Sequence, residues 1–300
     1  MLSEIYAVMV TYNPDIVSLS QVIESLAEQV DEIIIVDNGS KNILEIENFI
    51  SNHRIELIKF PENKGIAAAQ NKGIAYADSQ KAKYVLLMDQ DTVIPEGAVF
   101  SLYENCKTLE QSGVKIGAIG CAYRGTHSGR LNDILKADGW KIVVQPINSE
   151  KDKILLVDYV IASGSLIPIS TFKEVGMMED GLFIDLVDIE WGLRAKFHGY
   201  KSYQCVTHVM THTLGNGCLK VLWRSVTLHS PIRNYYSIRN RILLSKRRYI
   251  GCAWRIDFLR RIAPYFFAFG FFPEQKWLRI TLMLRGILDG ILSRTGPYRS

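Results

Sequence analysis

Four short apolar runs in the first ninety residues, each closed by a polar cluster and separated by helix-patterned segments, leave this chain few folds to choose from. Ile5 to Val10 stops at Thr11-Tyr12-Asn13-Pro14, a turn signal. Residues 16–30 then carry helical apolar spacing through Val22, Ile23, Leu26 and Val30. Glu32 to Val36 is a second strand, stopped by Asp37-Asn38-Gly39-Ser40. A polar-faced helix follows through Leu44, Ile46, Phe49 and Ile50, and then a third strand, Ile55 to Phe60. A loop ending at Asn63-Lys64-Gly65 opens a helix from Ile66 to Asp78. Tyr84 to Met88 is the fourth strand, and it ends in Asp89-Gln90-Asp91. This β-α-β-α-β-α-β order predicts a parallel sheet covered by helices with right-handed crossovers. Thr11, Asp37 and the Asp89/Asp91 pair then share one rim, where open α/β sheets bind ligands.

Beyond residue 100 the pattern loosens. Lys115 to Tyr123 and Leu155 to Ile167 read as strands, residues 124–153 as a loop-rich insertion, and Phe183 to Phe197 as a helix. A basic helix from Ile232 to Tyr249, an aromatic run from Pro264 to Phe272 and an amphipathic helix from Trp277 to Leu292 follow. No apolar stretch reaches the ~20 residues of a membrane-spanning helix. The expected organisation is a catalytic domain over 1–220, with halves 1–100 and 101–220, and a mainly helical extension over 221–300.

Charge divides the chain in the same place. Residues 220–300 hold sixteen Lys or Arg against three acids, a balance of +13, and the preceding residues carry −9. A basic, aromatic tail on an acidic body faces an anionic surface, either nucleic acid or lipid headgroups. The run from Phe266 to Phe272 and the amphipathic helix suit a membrane interface better than nucleic acid. Five scattered cysteines without a Cys-x-x-Cys argue for a reducing compartment. The first residues lack a basic region before an apolar core, so no signal peptide is expected.

Several clusters carry chemistry. Two carboxylates one residue apart at a strand end suit a hard divalent cation, or are simply an acidic strand-to-loop boundary. The same run, strand then Asp-x-Asp-x-Thr, also opens haloacid-dehalogenase-type phosphatases, with Asp89 as nucleophile. That motif belongs on a first strand, however, and no later Gly-Asp-x-x-x-Asp supports it here. Asp37 before Asn-Gly fits an Asx-turn. Asn63-Lys64-Gly65 opens a small-residue helix whose N-terminus favours anions, or is an ordinary helix start. Ser163-Gly164-Ser165 is a tight bend after a strand. Asp188 and Glu190, two residues apart, point to different sides of a helix. His208 and His212 lie in a segment rich in β-branched residues, which argues against a helical zinc pair.

The order of these motifs, with Phe183-Ile184-Asp185-Leu186-Val187-Asp188-Ile189-Glu190-Trp191, resembles the inverting glycosyltransferases of family 2 over roughly residues 4–245. Within that group it is most similar to bacterial rhamnosyltransferases. The resemblance implies an α/β GT-A fold and transfer of a sugar from a nucleoside diphosphate to a saccharide hydroxyl. The implied donor is dTDP-L-rhamnose, with another UDP- or dTDP-sugar as the alternative, and the setting is cell-surface polysaccharide synthesis such as O-antigen or capsule. Asp188 would be the general base. Thr11, Asn13, Asp37, Asn63, Lys64, Gly65, Asn71, Asp89 and Gln90 would bind the donor, Asp37 through the pyrimidine. Asp89, Asp91 and His212 would hold the metal, Mg2+ or Mn2+. Ser163, Gly164, Ser165, Asp185, Glu190 and Trp191 would border the donor sugar or acceptor. The implied partners are a lipid-linked saccharide and a membrane surface met by residues 221–300, at the inner face of the cell membrane. A homo-oligomer is compatible with this reading, and a nucleic-acid partner is not expected.

Overall fold

The computed structural model describes residues 4–51, 55–125, 131–147, 153–212, 218–221, 224–228 and 230–299. Its first third follows the alternation read above: β1 (Ile5–Thr11), α1 (Ile16–Ala27), β2 (Glu32–Asp37), α2 (Ile43–Ile50), β3 (Ile55–Lys59), α3 (Ile66–Ser79) and β4 (Tyr84–Asp89). The strands pair in parallel in the order β3-β2-β1-β4. Such strands are buried on both faces and read as continuous apolar runs. Successive residues feed two cores. Val8, Ile34, Val36, Val85 and Leu87 join the layer under α3, while Ala7, Met9, Ile35, Leu86 and Met88 join the layer under α1. Asp15 starts α1 as an N-cap, accepting from Ser18 N at 2.8 Å.

The second part extends the same sheet. It comprises β5 (Thr92–Val93), α4 (Ala98–Gln111), β6 (Ile116–Gly125), β7 (Ile134–Asp138), β8 (Lys141–Gln145), β9 (Ile154–Val157), β10 (Ser165–Pro168), α5 (Ile169–Val175), α6 (Val187–Phe197) and β11 (Lys201–His212). The sheet continues β4-β10-β6-β11-β5, with β10 antiparallel to both its neighbours and β9 added on β11. Three sequence expectations change here. The strand expected over 155–167 is two strands, because Asp158 is buried between them and accepts from Ala137 N, Trp254 Nε1 and Lys196. The loop-rich insertion contains the β7–β8 hairpin. The helix expected from Phe183 starts only at Val187, since Phe183, Asp185 and Leu186 have φ of +66°.

The tail comprises β12 (Cys218–Val221), β13 (Arg224–Thr227), α7 (Pro231–Ser245), α8 (Cys252–Arg260), α9 (Ile262–Phe271) and α10 (Lys276–Ile291). Sequence reading missed α8, and the aromatic run read over 264–272 is the helix α9. α10 lies tightly on α7: a Cβ added at Gly286 would stand 2.6 Å from Tyr235 O, so only glycine permits the approach. Leu243, Leu244, Trp254 and Phe258 join the α3-side core, so α7 and α8 share the interior of the sheet domain.

Candidate active site

Parallel register builds the rim. Thr11 stands beside Asp37, and Val10 beside Asp89, at the carboxyl ends of adjacent strands. A cleft of about 780 Å³ opens above them. Asn13, Asn63, Gly65, Asp89, Gln90, Asp91, Ser163, Asp185 and Asp188 all line it.

Asp37 closes its own loop. It is 1% exposed; Oδ1 accepts from Gly39 N and Ser40 N, and Oδ2 from Thr11 Oγ1 and the Ser40 hydroxyl. That is the Asx-turn geometry. Asn13 joins in, donating from its N to Ser40 Oγ (2.8 Å) and accepting from Lys41 N (2.8 Å).

The start of α3 departs from its expected role. Lys64 N donates to Asn38 Oδ1 (2.8 Å), Gly65 N to Asn63 Oδ1 (2.9 Å) and Ile66 N to Phe183 O (2.7 Å). These amides hold protein acceptors instead of facing an anion. The Lys64 ammonium lies 5.5 Å from the centre of the Phe60 ring, and Lys64 does not line the cleft. Gly65, at φ +89°, fits against Phe183, where a Cβ would meet the carbonyl oxygen at 2.6 Å. Asn71 is drawn away to pin residues 178–180, exchanging bonds with Met178 and donating to Asp180. Gln90 accepts from Tyr12 N at 2.8 Å and so ties the β1 and β4 rims.

Burial dominates the electrostatics of Asp89. Burial, then the neighbouring Asp91 and Asp188, push the Asp89 carboxyl up to about 7, while Arg233 works in the opposite direction. Asp89 N donates to Ser163 Oγ at 3.1 Å, which fixes the rim against the 163–165 bend. Gly164 N donates to Leu87 O and Ser165 Oγ to Ala162 O, so these two support the bend from behind while Ser163 reaches the cleft. Burial also raises the Asp188 carboxyl, against the pull of backbone bonds from Ile189 N (2.9 Å) and Ala162 N (3.3 Å).

The cluster suits a divalent cation. Among the described residues no three His, Cys, Asp or Glu side chains form a complete metal cage. Mg2+ commonly takes one or two carboxylates and completes its shell with substrate phosphates and water. Asp89 and Asp91 are such a pair, and the raised Asp89 shows what a cation would relieve. His212 pairs in backbone register with Thr92, next to Asp91; its side chain lies outside the described part of the structure. His208 Nδ1 meets Thr207 Oγ1 at 3.1 Å.

Glu190 and Trp191 leave the site. Glu190 is fully buried, gripped by Arg194 at 2.8 and 3.0 Å and by the Tyr249 hydroxyl at 2.6 Å. Trp191 is buried and donates from Nε1 to Gly176 O at 2.9 Å. The helical phase explains Glu190: with Asp188 turned to the cleft, a residue two positions on faces the core.

Sequence reading missed Arg233, Tyr123 and Gln70, which also line the cleft. Arg233, in the first turn of α7, is the one cation among the described lining residues and pairs with Asp185. It was hidden within a basic tail. Gln70 is 4% exposed, and its Oε1 lacks a hydrogen-bond partner among the described residues.

This sheet, with its acidic strand-end pair and helical C-terminal region, is the GT-A fold of nucleotide-sugar transferases. Staphylococcus aureus TarS 1–349, solved with UDP-GlcNAc, matches 97% of this chain and 81% of its own, with a TM-score of 0.59 at 15% identity. GalNAc-T7, solved with UDP, GalNAc and Mn2+, matches 86% of this chain and 55% of its own, with a TM-score of 0.55 at 14% identity. The chain belongs to glycosyl transferase family 2, whose sequence profile matches residues 6–165. A dTDP-rhamnosyl transferase of Shigella flexneri, RfbF, is 31% identical over 256 residues, covering 83% of this chain and 82% of that protein. Family membership sets aside the phosphatase reading.

Proposed function

We propose that this glycosyltransferase moves L-rhamnose from dTDP-L-rhamnose to a saccharide hydroxyl, with inversion, in the assembly of a cell-surface polysaccharide. The observation that carries the reading is that one cleft is lined both by Asp89 and Asp91, at and just past the end of β4, and by Asp188, in the first turn of α6. The rhamnosyl transferase relative supports the choice of sugar and base. Asp89 and Asp91 would hold Mg2+ or Mn2+, with His212 as the expected third ligand. A bound cation supplies Lewis-acid stabilisation to a departing diphosphate. Asp188 takes the acceptor's hydroxyl proton as that oxygen bonds the anomeric carbon and the carbon–diphosphate bond breaks on the opposite face. A sugar hydroxyl is a poor nucleophile until it loses that proton, and a base raised toward neutrality serves better. Because burial raises Asp188, activity should rise with pH above the usual carboxylate range as it ionises. Arg233 adds a cation facing the same acids, and Asp37 orders the loop beside the nucleotide base.

The test is a donor screen. Purified protein is given UDP- and dTDP-sugars with Mn2+ and saccharide acceptors, and nucleoside diphosphate release is measured. Release from dTDP-L-rhamnose above all others supports the reading. Preference for another sugar nucleotide keeps the transferase and rejects rhamnose.

We infer also that residues 221–300 meet an anionic membrane surface, where a lipid-linked acceptor would be presented on the cytoplasmic side. Among the described residues no helix is long and apolar enough to cross a membrane. Yet α10 turns Trp277, Leu284, Leu288 and Ile291 to solvent, and α9 turns out Phe267 and Phe271. Trp277 is 73% exposed. Asp257 is shared by Arg260 and Arg261, and Asp289 by Arg285 and Arg294, so two guanidiniums flank each buried acid. Apolar insertion plus surplus cations suits an anionic leaflet. Binding to phosphatidylglycerol vesicles, weakened by salt and lost in Trp277→Asp/Leu284→Asp, is expected. No binding at low salt, or a dimer in ultracentrifugation that those changes dissolve, would mean that a second copy covers this face.

A further inference from the structure

The segment Phe183–Leu186 sets the position of Asp188, and its backbone is unfavourable on its own. Phe183, Asp185 and Leu186 each have φ of +66°, a region that residues other than glycine seldom adopt. Such backbone persists only where its surroundings over-determine it. Here Ile66 N at the start of α3 holds Phe183 O, and most of the other contacts come from α7, about fifty residues on in sequence. Asn240, fully buried, directs its side-chain amide at three carbonyls of one short stretch: Leu182 O at 3.0 Å, Ile184 O at 2.8 Å and Asp185 O at 2.9 Å. Two amide hydrogens serve three acceptors, so the segment must curl around the one nitrogen. Arg239, also fully buried, adds Nη2 bonds to Gly181 O (3.1 Å) and Leu182 O (2.9 Å). Its guanidinium sits over the Tyr235 and Tyr236 rings, and its Nη1 donates to Gly296 O. One and two helical turns before Asn240, Tyr236 stacks on Phe183 at 4.8 Å and Arg233 pairs with Asp185. Arg233, Tyr236 and Asn240 fall at i, i+3 and i+7, one face of the helix.

The other end of the segment is the start of α6. Leu186 is its left-handed N-cap residue and offers no side-chain cap, so the entry angle of α6 is set by the segment. Asp188 lies in that first turn.

We propose that Asn240, supported by Arg239, is a positioning residue for transfer: it fixes the segment 183–186, with its positive-φ residues Phe183, Asp185 and Leu186, and, through it, the direction in which Asp188 meets the acceptor. The C-terminal helices are then part of the catalytic apparatus. The proposal rests on Asp188 as base, but one of its readouts is independent of activity.

The experiment uses the full chain with Asn240→Ala and with Asn240→Ser, which keeps one donor in a smaller side chain. Amide hydrogen exchange should speed up over residues 183–188 in Asn240→Ala and less so in Asn240→Ser. For dTDP release from dTDP-L-rhamnose, kcat should fall by about 10- to 100-fold, the scale of a small misplacement of a reacting group. Affinity for dTDP with Mn2+, by calorimetry, should stay within about threefold, because Asn240 touches nothing on the nucleotide rim and a transition-state defect leaves ground-state binding in place. Asn240→Ser should recover part of the rate. If Asn240→Ala does not fold, Asn240→Ser is judged by the same criteria. Unchanged exchange over 183–188 overturns the proposal, as does faster exchange with an undiminished kcat. Should dTDP-L-rhamnose prove not to be a donor, the exchange result still stands and the failure belongs to the assignment of the sugar.

Discussion

Asp89→Asn should stabilise the metal-free protein while destroying its activity. In the folded chain the Asp89 carboxyl is pushed from 3.8 up to about 7 by burial and by Asp91 and Asp188, with Arg233 opposing. A carboxyl whose folded value lies above its unfolded value binds more protons when native, so its ionisation costs stability as pH rises from about 4 to about 7 and no more above that. The full displacement corresponds to roughly 4 kcal/mol at pH 8. Solvent screening in an open cleft brings a working figure nearer 2 kcal/mol. For a chain of this length, with about 2 cal/mol/K of unfolding entropy per residue, that is about 3 °C in Tm. The assay is thermal unfolding in EDTA at pH 5, 6, 7 and 8. The variant should gain about 3 °C at pH 8 and less than half of that at pH 5. Added Mn2+ should raise the Tm of the wild type, because a ligand that binds only the native state stabilises it, and leave the variant little changed. A variant that melts at or below the wild type at pH 8, or a gain that ignores pH, would refute the picture of a carboxyl raised by burial and acidic neighbours.

Asp188→Asn should keep dTDP binding and lose about 10²–10⁴-fold in transfer rate, as removal of a general base does; a normal rate would move the base elsewhere. Glu190→Gln should behave as a core lesion. Breaking one partner of a buried ion pair costs up to about 3–5 kcal/mol, so its Tm should drop by several degrees while the rate per folded molecule holds. A dead but fully stable Glu190→Gln protein would instead place Glu190 in the chemistry.

What the sequence shows well is what depends on local periodicity. Each of the first four strands is a run of apolar residues bounded by turn chemistry, and the rim residues Asp89 and Asp91 follow from where β4 must stop. What it hides is phase. Asp185, Asp188, Glu190 and Trp191 form one acidic, aromatic motif in the sequence, and nothing local says which of them face the cleft. That is decided by the residue at which α6 begins. The helical pattern puts the start at Phe183, but Phe183, Asp185 and Leu186 have positive φ, and Asn240 and Arg239 bond carbonyls between Gly181 and Asp185. Shifting the start by four residues moves the first turn that carries Asp188, and turns Glu190 to Arg194 and Tyr249. Arg233 is hidden for a related reason. In composition it is one of sixteen basic residues in a tail, and only the packing of α7 against the loop brings it to the cleft. The same packing separates two kinds of arginine in the tail: Arg239 is spent on interior carbonyls, whereas Arg260, Arg261, Arg285 and Arg294 stay at the surface beside exposed apolar side chains. Charge counting treats them alike. A surface role for the tail therefore rests on the second group alone, and the first belongs with the catalytic loop.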